Sequence, residues 1–445
     1  MRSLSWSALA AFTAILSLSH SVLAISKISA VGSKFFNEEG EQFFVKGIAY
    51  QLTPHDPLVN TTQCSLDAQL MKELGANAIR VYHVNPDGDH TGCMKAFAEA
   101  GIYLFVDLDD FPTQIEQNYP TWNETQLNAF KKNLDEFQKF DNTAAVFVGN
   151  EILTAKNGSH AAPYILSAAR DIKAYRDSKK YRKVPVGYSA ADIAELRPML
   201  QNYLTCRSNA SETLDFFALN AYEWCGQSSF TLSGYSTLQE HAEGFPVPIL
   251  FSETGCNTNR PRDFQDLTAI YGPEMSGTWS GAIVYEWIQE ANDYGLITYG
   301  KASKEDAEKD GTGTVIMDGY SRQGKPTPVT PDFPNLKSRW ATLTPKGVAR
   351  TEYSKKASSV TAPPCPASTV GWEVDPSAPL PTLGQLIATS TTGVKATKTG
   401  SGSTSVPSHK NSANQLLPSG TTGTTVFSFM AGALIGLGGI IGWLL

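Results

Sequence analysis

The sequence lacks several signatures that would assign it to other classes of enzyme. No Cys-x-x-Cys or His-Glu-x-x-His spacing occurs, and the seven histidines show no spacing typical of metal ligands. The common sequence signatures of zinc sites are therefore absent. There is no phosphate-binding P-loop. The segment around Ser189 lacks the closing glycine of a Gly-x-Ser-x-Gly nucleophile elbow. We therefore expect chemistry that needs neither a metal nor another cofactor.

Clustered positive charge is also missing. Acidic residues outnumber basic ones 43 to 36, which gives a net charge of −7 with no basic patch along the chain. A polyanion such as nucleic acid is therefore not an expected partner. The 445 residues, 41% of them hydrophobic, are enough for one large core with appendages.

The first 24 residues have the composition of a secretory signal. Arg2 supplies a positive start, Ala8 to Leu18 form an apolar run, and small residues precede a cleavage point after Ala24. A short buried helix is the alternative interpretation. The position and the flanking residues favour the signal, so we expect an exported protein.

The C-terminal part of the chain has the order of segments typical of a glycolipid (GPI) anchor. Residues 381–425 are rich in Ser, Thr, Gly and Pro and predict a disordered stalk with a spacer. An apolar tail follows over 426–445, with no Lys or Arg after it. We expect the tail to be removed and the anchor to be attached at Asn411 or Ser412; a permanent membrane helix is the alternative.

Six cysteines in an exported chain predict disulfides, although six cysteines allow fifteen pairings and the sequence does not choose among them. Four Asn-x-Ser/Thr tripeptides agree with export, although such tripeptides also arise by chance. The predicted N-glycosylation sites are Asn60, Asn123, Asn157 and Asn209.

Short apolar runs alternate with amphipathic stretches from the end of the signal to about residue 340. The runs lack the polar alternation of a one-sided sheet, so they read as strands covered on both faces. Eight strands separated by helices predict a (β/α)8 TIM barrel of the α/β class; a doubly wound open sheet is the alternative. The eight predicted strands are Phe44 to Tyr50, Ala78 to Tyr82, Tyr103 to Asp107, Ala145 to Gly149, Val184 to Ser189, Phe216 to Tyr222, Pro248 to Glu253 and Gly281 to Glu286.

Two glutamates stand at the carboxyl ends of these predicted strands. Glu151 follows the fourth run, directly after Asn150, and Glu253 ends the seventh. Catalytic groups of such barrels lie at that end of the strands, and glycoside cleavage needs a pair of carboxyl groups there. Either glutamate alone could be a helix N-terminal charge or a salt-bridge partner, but the pair favours glycosidase chemistry.

Several further motifs occur in an order that resembles the fungal cell-wall β-1,3-glucanosyltransferases of glycoside hydrolase family 72. The likeness covers roughly Ile25 to Cys365, together with the signal, the stalk and the anchor. The motifs are Gly47-Ile-Ala-Tyr-Gln51, Arg80-Val-Tyr82, Gly149-Asn-Glu-Ile152, Asn220-Ala-Tyr-Glu-Trp-Cys225, Ser252-Glu-Thr-Gly-Cys256 and Tyr285-Glu-Trp287.

This resemblance implies roles for individual residues. Glu151 is expected to be the acid/base, Glu253 the nucleophile that forms a covalent glycosyl-enzyme, and Asn150 the partner of the donor sugar's 2-hydroxyl. Tyr285 is expected to orient the nucleophile. The other residues implied to bind substrate are Tyr82, Tyr222, Asp109 and Asp110 with the loop to Gln117, Asp192 and Arg197.

The resemblance also implies disulfides and domain boundaries. The family pattern pairs Cys64 with Cys93, Cys225 with Cys256 and Cys206 with Cys365. The chain then divides into a signal (1–24), a catalytic barrel (25–340), a post-barrel segment tied back by Cys365 (341–380), the stalk and spacer (381–425) and the tail (426–445). Only one cysteine follows Cys256, so the cysteine-rich carbohydrate-binding module of some relatives is not expected.

The expected function is a retaining transfer that cuts a β-1,3-glucan internally and joins the new reducing end to another β-1,3-glucan. A hydrolase on the same barrel and a non-catalytic wall-binding protein are the alternatives. The expected partners are donor and acceptor glucan chains and the outer leaflet of the plasma membrane, with the enzyme a monomer on the cell surface or in the wall.

Overall fold

The computed structural model describes residues 25–51, 56–302, 315–317, 319–357 and 360–387. These residues fall within one compact unit. The predicted signal, the stalk after residue 387, the anchor site at Asn411 or Ser412 and the apolar tail lie outside the described residues. Within the described ranges, no helix is long and apolar enough to cross a membrane.

In the described part of the chain, eight parallel strands close into a barrel, which confirms the predicted (β/α)8 fold and shows that the open-sheet alternative is wrong. Each strand is buried almost throughout, as a strand covered on both faces must be. In barrel order the strands are β3 (Val45–Ala49), β4 (Ala78–Val81), β5 (Tyr103–Asp107), β6 (Thr143–Asn150), β7 (Val186–Ala191), β8 (Phe216–Asn220), β9 (Ile249–Thr254) and β10 (Trp279–Val284), which pairs with β3.

Helices connect these strands and cover the barrel. The helix after β3 ends at Gly75, whose φ of 95° is the left-handed conformation that only glycine adopts at little cost, and its N–H bonds the carbonyls of Lys72 and Met71. The described helices are α1 (Thr61–Leu74), α2 (Thr91–Glu99), α3 (Glu124–Phe137), α4 (Ala162–Ser178), α5 (Arg197–Tyr203), α6 (Tyr235–Ala242), α7 (Asp266–Ile270), α8 (Asp332–Thr342) and α9 (Arg350–Ala357).

An N-terminal hairpin, which the sequence did not predict, closes the bottom of the barrel. Its strands are β1 (Ser29–Val31) and β2 (Lys34–Phe36), paired antiparallel. Phe35 is fully buried and its ring lies 6.2 Å from that of Phe105 and 5.8 Å from that of Phe216. One buried phenylalanine contributes about 1.5–3 kcal/mol, so this contact is a substantial part of the hairpin's attachment.

Short strand pairs follow the barrel. β11 (Ile297–Thr298) pairs with β14 (Thr327–Pro328), and β12 (Val315–Met317) pairs with β13 (Tyr320–Ser321). All six cysteines lie in the described residues and form the three disulfides that the resemblance implied, Cys64–Cys93, Cys206–Cys365 and Cys225–Cys256.

The segment after Cys365 lies on the outside of the barrel. Trp372 is fully buried and packs edge-on against Tyr203 of α5, at 5.6 Å between ring centroids. The carbonyl of Pro381 accepts hydrogen bonds from Ser167 Oγ at 2.9 Å and from Arg170 at 3.1 Å. The N–H of residue 387 donates to a tyrosine of α4 at 2.8 Å. Residues 381–387, placed in the stalk by composition, therefore contact the barrel.

Candidate active site

Glu253 lies on β9 with 9% of its surface exposed and accepts hydrogen bonds at both carboxylate oxygens. The hydroxyl of Tyr82 donates to Oε1 at 3.0 Å, and that of Tyr222 donates to Oε2 at 2.8 Å. Arg80 contacts Oε1 at 3.4 Å. Arg80 and Tyr82 belong to β4 and its end, and Tyr222 follows β8, so two other strands of the barrel supply the groups that hold this carboxylate.

A buried network around Arg80 supports the carboxylate from below. The Arg80 side chain is fully buried and makes a two-pronged ion pair with Asp107 of β5, at 3.1 and 2.8 Å. It also donates to Asn150 Oδ1 at 2.9 Å and to Ser189 Oγ at 3.1 Å. Bidentate guanidinium–carboxylate pairs fix orientation as well as charge, so Arg80 is held rigidly under the mouth of the barrel.

Glu151 follows β6 in an unusual backbone conformation. Its φ of 48° lies in the left-handed region, which costs a residue with a Cβ about 1–2 kcal/mol. The backbone N–H of Glu151 donates to the Ser189 carbonyl at 2.8 Å, and its Oε1 accepts from Asn220 Nδ2 at 2.8 Å. Backbone strain of this kind concentrates at functional sites, where the surrounding structure enforces it.

Asn150, the last residue of β6, is fixed by its side-chain oxygen. Besides Arg80, the hydroxyl of Ser189 donates to Oδ1 at 2.9 Å and Asn220 Nδ2 donates to it at 3.1 Å. Asn220 therefore bridges Asn150 and Glu151 through one amide nitrogen. With the orientation of its amide set in this way, the Nδ2 of Asn150 is directed away from the Arg80 network.

The pKa of Glu253 reflects two opposing influences. Burial, the largest, raises it from its ordinary 4.5 to about 7, and the charge of Glu151 acts in the same direction. The charge of Arg80 and the hydrogen bonds from Tyr222 and Tyr82 act against burial and favour the ionised form. The site therefore buries a carboxylate largely away from water. One cation and two hydroxyl donors partly offset the unfavourable effect of this burial on the ionised form.

The tyrosines around Glu253 remain protonated donors. Burial, followed by the charge of Glu253, raises the pKa of Tyr82 and of Tyr222 well above 10. Burial and nearby carboxylates do the same for the pKa of Tyr285, which follows β10. The hydroxyl of Tyr285 accepts from Gln51 Nε2 at 2.6 Å, whereas the hydroxyls of Tyr82 and Tyr222 donate to Glu253.

The loop after β5 places two acidic residues at the same mouth. Asp109 is 8% exposed, and burial together with the charge of Asp107 raises its pKa to about 8. Asp110 lies 3.2 Å from His83 Nδ1 and accepts a hydrogen bond from the N–H of Phe111. Phe111 is half exposed and stacks on His83 at 4.2 Å between ring centroids.

Asp192 and Arg197 lie near the carboxyl end of β7. Asp192 directly follows β7, Arg197 begins α5, and the two side chains form an ion pair. Arg197 also contacts Glu223 Oε1 at 3.5 Å. The mouth thus holds a second group of charged residues next to Tyr222.

The predicted N-glycosylation sites lie on the outside of the barrel. Asn60, Asn123 and Asn209 each precede a helical segment, and the Oδ1 of each accepts a backbone N–H within it. Asn157 is exposed in a turn after β6. Among the described residues, no group of three His, Cys, Asp or Glu is arranged to hold a metal ion.

Several residues of the site carry no role that the sequence alone assigns. Four of them, Gln51, Arg80, Asn220 and Glu223, occur only as members of motifs, and Asp107 occurs only as the end of a predicted strand. Their shared signal is a polar side chain within or just after an otherwise apolar strand. That signal places a residue near the mouth but does not identify its partner.

Comparison with known proteins agrees with this geometry. Residues 17–312 match the Glyco_hydro_72 family, described as Glucanosyltransferase. The chain is 39% identical over 381 residues to 1,3-beta-glucanosyltransferase gas2 of Schizosaccharomyces pombe, covering 82% of this chain and 77% of that protein. It is 36% identical over 389 residues to 1,3-beta-glucanosyltransferase GAS2 of Saccharomyces cerevisiae, covering 82% and 66%.

Solved structures give the same result. A variant of Saccharomyces cerevisiae Gas2p, in complex with laminaritetraose and laminaripentaose, superposes with a TM-score of 0.69 at 36% identity. The match covers 80% of this chain and 74% of that one.

Proposed function

The chain belongs to the glucanosyltransferase family, and we propose that it cuts a β-1,3-glucan internally and transfers the new reducing end to a second β-1,3-glucan with retention of anomeric configuration. The observation that supports this reaction most strongly is the pair Glu151 and Glu253. They lie at the carboxyl ends of β6 and β9, close enough for the charge of Glu151 to raise the pKa of Glu253.

In the first step, Glu253 is the nucleophile. Its carboxylate attacks the anomeric carbon, the bond to the glycosidic oxygen breaks, and Glu151 gives its proton to that leaving oxygen. The leaving chain departs with a new non-reducing end. The other part of the donor stays on the enzyme as an ester of Glu253.

In the second step, a hydroxyl of an acceptor sugar, rather than water, reacts with the glycosyl-enzyme. Glu151, now ionised, takes the proton of that hydroxyl. The hydroxyl oxygen attacks the anomeric carbon and releases Glu253. If water enters first, the same intermediate is hydrolysed. Holding an acceptor glucan in the cleft favours transfer because a positioned hydroxyl has a much higher effective concentration than one free in solution.

The hydrogen bonds of the site match the charge changes in these steps. The hydroxyls of Tyr82 and Tyr222 and the cation of Arg80 hold Glu253 in one orientation while it is ionised. Since these donors are already in place, little reorganisation accompanies bond formation. Asn150 offers its Nδ2 to the sugar's 2-hydroxyl, a contact that strengthens as positive charge develops at the anomeric carbon.

We assign the remaining contacts with the sugar chain to the rim of the mouth. Asp109 and Asp110 lie on the loop after β5, Asp192 and Arg197 follow β7, and Tyr285 follows β10. Tyr285 is close enough to the nucleophile for the charge of that carboxylate to raise its pKa, and its ring can cover a sugar there. Carboxylates, a guanidinium and aromatic faces suit a neutral polymer rich in hydroxyl groups.

We also propose that the protein is exported, loses its first 24 residues, and is held at the cell surface or wall by a glycolipid at Asn411 or Ser412. The composition of both ends of the sequence supports this location. Paired cysteines agree with an oxidising compartment.

Product length distinguishes transfer from hydrolysis. The purified protein is incubated with a reduced laminari-oligosaccharide, and the products are separated by size. Transfer gives products longer than the substrate; shorter products alone would show a hydrolase. Glu151→Gln and Glu253→Gln should each abolish both classes of product, while Glu240→Gln, on the exposed face of α6, should have no effect. If neither the unsubstituted protein nor any of the variants turns over the oligosaccharide, the result would indicate a wall-binding role.

A further inference from the structure

Three ionisable side chains form a cluster between two neighbouring strand ends at the mouth of the barrel. Asp192 follows β7, Arg197 begins α5, and Glu223 lies three residues after β8, which pairs with β7 through Ala191 and Asn220. The side chains of Asp192 and Arg197 are 13% and 10% exposed, and that of Glu223 is 31% exposed.

The cluster contains two carboxyl groups and only one cation. Arg197 is ion-paired with Asp192 and lies 3.5 Å from Glu223 Oε1, so one cation serves two carboxyl groups. Both carboxyl groups contact the same nitrogen of Arg197, Nη2. Two ionised carboxylates cannot donate to each other, and at such a distance they repel. A hydrogen bond between them exists only when one carries a proton.

We propose that Glu223 is a positioning residue that works as a neutral carboxylic acid, donating its proton to Asp192 and thereby holding the Asp192–Arg197 pair in its sugar-binding arrangement. This inference rests on the proposed function, which assigns that pair to the glucan chain. Glu223 is not itself expected to react. Once its proton is lost, Asp192 and Glu223 repel each other and compete for Arg197.

Glu223 is the group to which we assign the proton. Burial, followed by the hydrogen bond and the charge of Asp192, raises the pKa of Glu223 to about 9. Tyr235 of α6 also lies close enough to feel the charges of Glu223 and Asp192, and its pKa is raised well above 10, first by burial. Arg197 remains charged throughout. Above pH 9 the change in the cluster is therefore the ionisation of Glu223.

The position of Glu223 connects the cluster to the catalytic carboxylate. The preceding residue, Tyr222, donates to Glu253 at 2.8 Å, and the next but one, Cys225, is tied to Cys256 beyond β9. A displacement of Glu223 would therefore also move the segment that carries Tyr222. The hydrogen bond to Asp192 adds a side-chain attachment at the centre of that segment.

The test is a binding measurement as a function of pH. Laminarihexaose is titrated calorimetrically into two purified proteins, Glu151→Gln and Glu151→Gln/Glu223→Gln, so that turnover does not consume the ligand. If binding requires the protonated cluster, affinity in the first protein falls about 10-fold between pH 8 and pH 10. In the second protein the amide donates to Asp192 at every pH, so affinity stays within about 2-fold.

A third protein, Glu151→Gln/Glu223→Ala, lacks the donor and should bind about 10-fold more weakly already at pH 8. Thermal unfolding at both pH values checks that all three proteins are folded. Because the amide has nearly the shape of the carboxylic acid, the first two proteins differ chiefly in whether the donor can be lost. If these two bind with the same pH dependence, the inference is refuted and the proposed function stands. If laminarihexaose binds to neither at any pH, both are refuted.

Discussion

The burial of Glu253 leads to a quantitative prediction about stability. In the unfolded chain this carboxyl has an ordinary pKa near 4.5, whereas in the folded protein burial raises the pKa to about 7. The folded state therefore binds its proton more tightly than the unfolded state does. The stabilisation from this proton is fully present below pH 4.5 and is lost as the pH rises through about 7.

The substitution Glu253→Gln removes the titration while keeping the shape of the side chain. The difference between a pKa of 4.5 and one of about 7 corresponds to about 3 kcal/mol of unfolding free energy. Relative to Glu253→Gln, the unsubstituted protein should thus lose about 3 kcal/mol between about pH 4 and about pH 8. A constant offset from altered hydrogen bonds to Tyr82 and Tyr222 does not affect this change with pH.

Urea unfolding of both proteins at a series of pH values measures the difference directly, because each titration gives a free energy of unfolding by linear extrapolation. Glu240→Gln serves as the control and should run parallel to the unsubstituted protein. Repeating the comparison in a Glu151→Gln background should reduce the change, since the charge of Glu151 contributes to the raised pKa. A difference that is independent of pH, or that grows in the opposite direction, would refute the reasoning.

Three further predictions concern catalysis and the fold. Tyr222→Phe removes a hydrogen bond that lowers the pKa of Glu253, so the acid limb of the kcat/KM profile should move to higher pH, with about a 10-fold loss at about pH 6; an unmoved limb would contradict this. Asn150→Ala should lower kcat by about 10²-fold with little change in KM, as measured by initial rates, because its sugar contact strengthens in the transition state; a change in KM alone would count against that role. Replacing both Cys206 and Cys365 by Ser should lower the free energy of unfolding in urea by about 2–5 kcal/mol, because this disulfide closes a loop with a sequence separation of 159; unchanged stability would show that the post-barrel segment is held by its packing alone.

The barrel was predictable because its strands are covered on both faces. Runs such as Tyr103 to Asp107 are continuously buried and short, a pattern that a one-sided sheet does not show. The N-terminal hairpin was not predicted, since strands of three residues carry too little periodicity to recognise. Its position depends on Phe35 meeting Phe105 and Phe216, which lie far away in the sequence.

The candidate site was predictable only in part for the same reason. A glutamate that ends a buried strand can be placed at the mouth from its position alone, as Glu253 was. Which donors reach it depends on contacts such as that of Arg80, 173 residues away. Likewise, Asp192 and Arg197 could be placed on one loop from the sequence. The contact of Arg197 with Glu223, which follows the next strand, is visible only in the folded barrel.

The different roles of the two glutamates are the central claim, and azide tests them most directly. The variants Glu253→Ala and Glu151→Ala are each supplied with azide and an activated β-laminari-oligosaccharide donor. Without its nucleophile, Glu253→Ala should form the α-glycosyl azide, because azide itself displaces the leaving group in one inverting step. Without its acid/base, Glu151→Ala should form the β-glycosyl azide, because azide attacks the ester on Glu253. The opposite anomers would exchange the two roles, and no azide product from either variant would contradict the covalent mechanism.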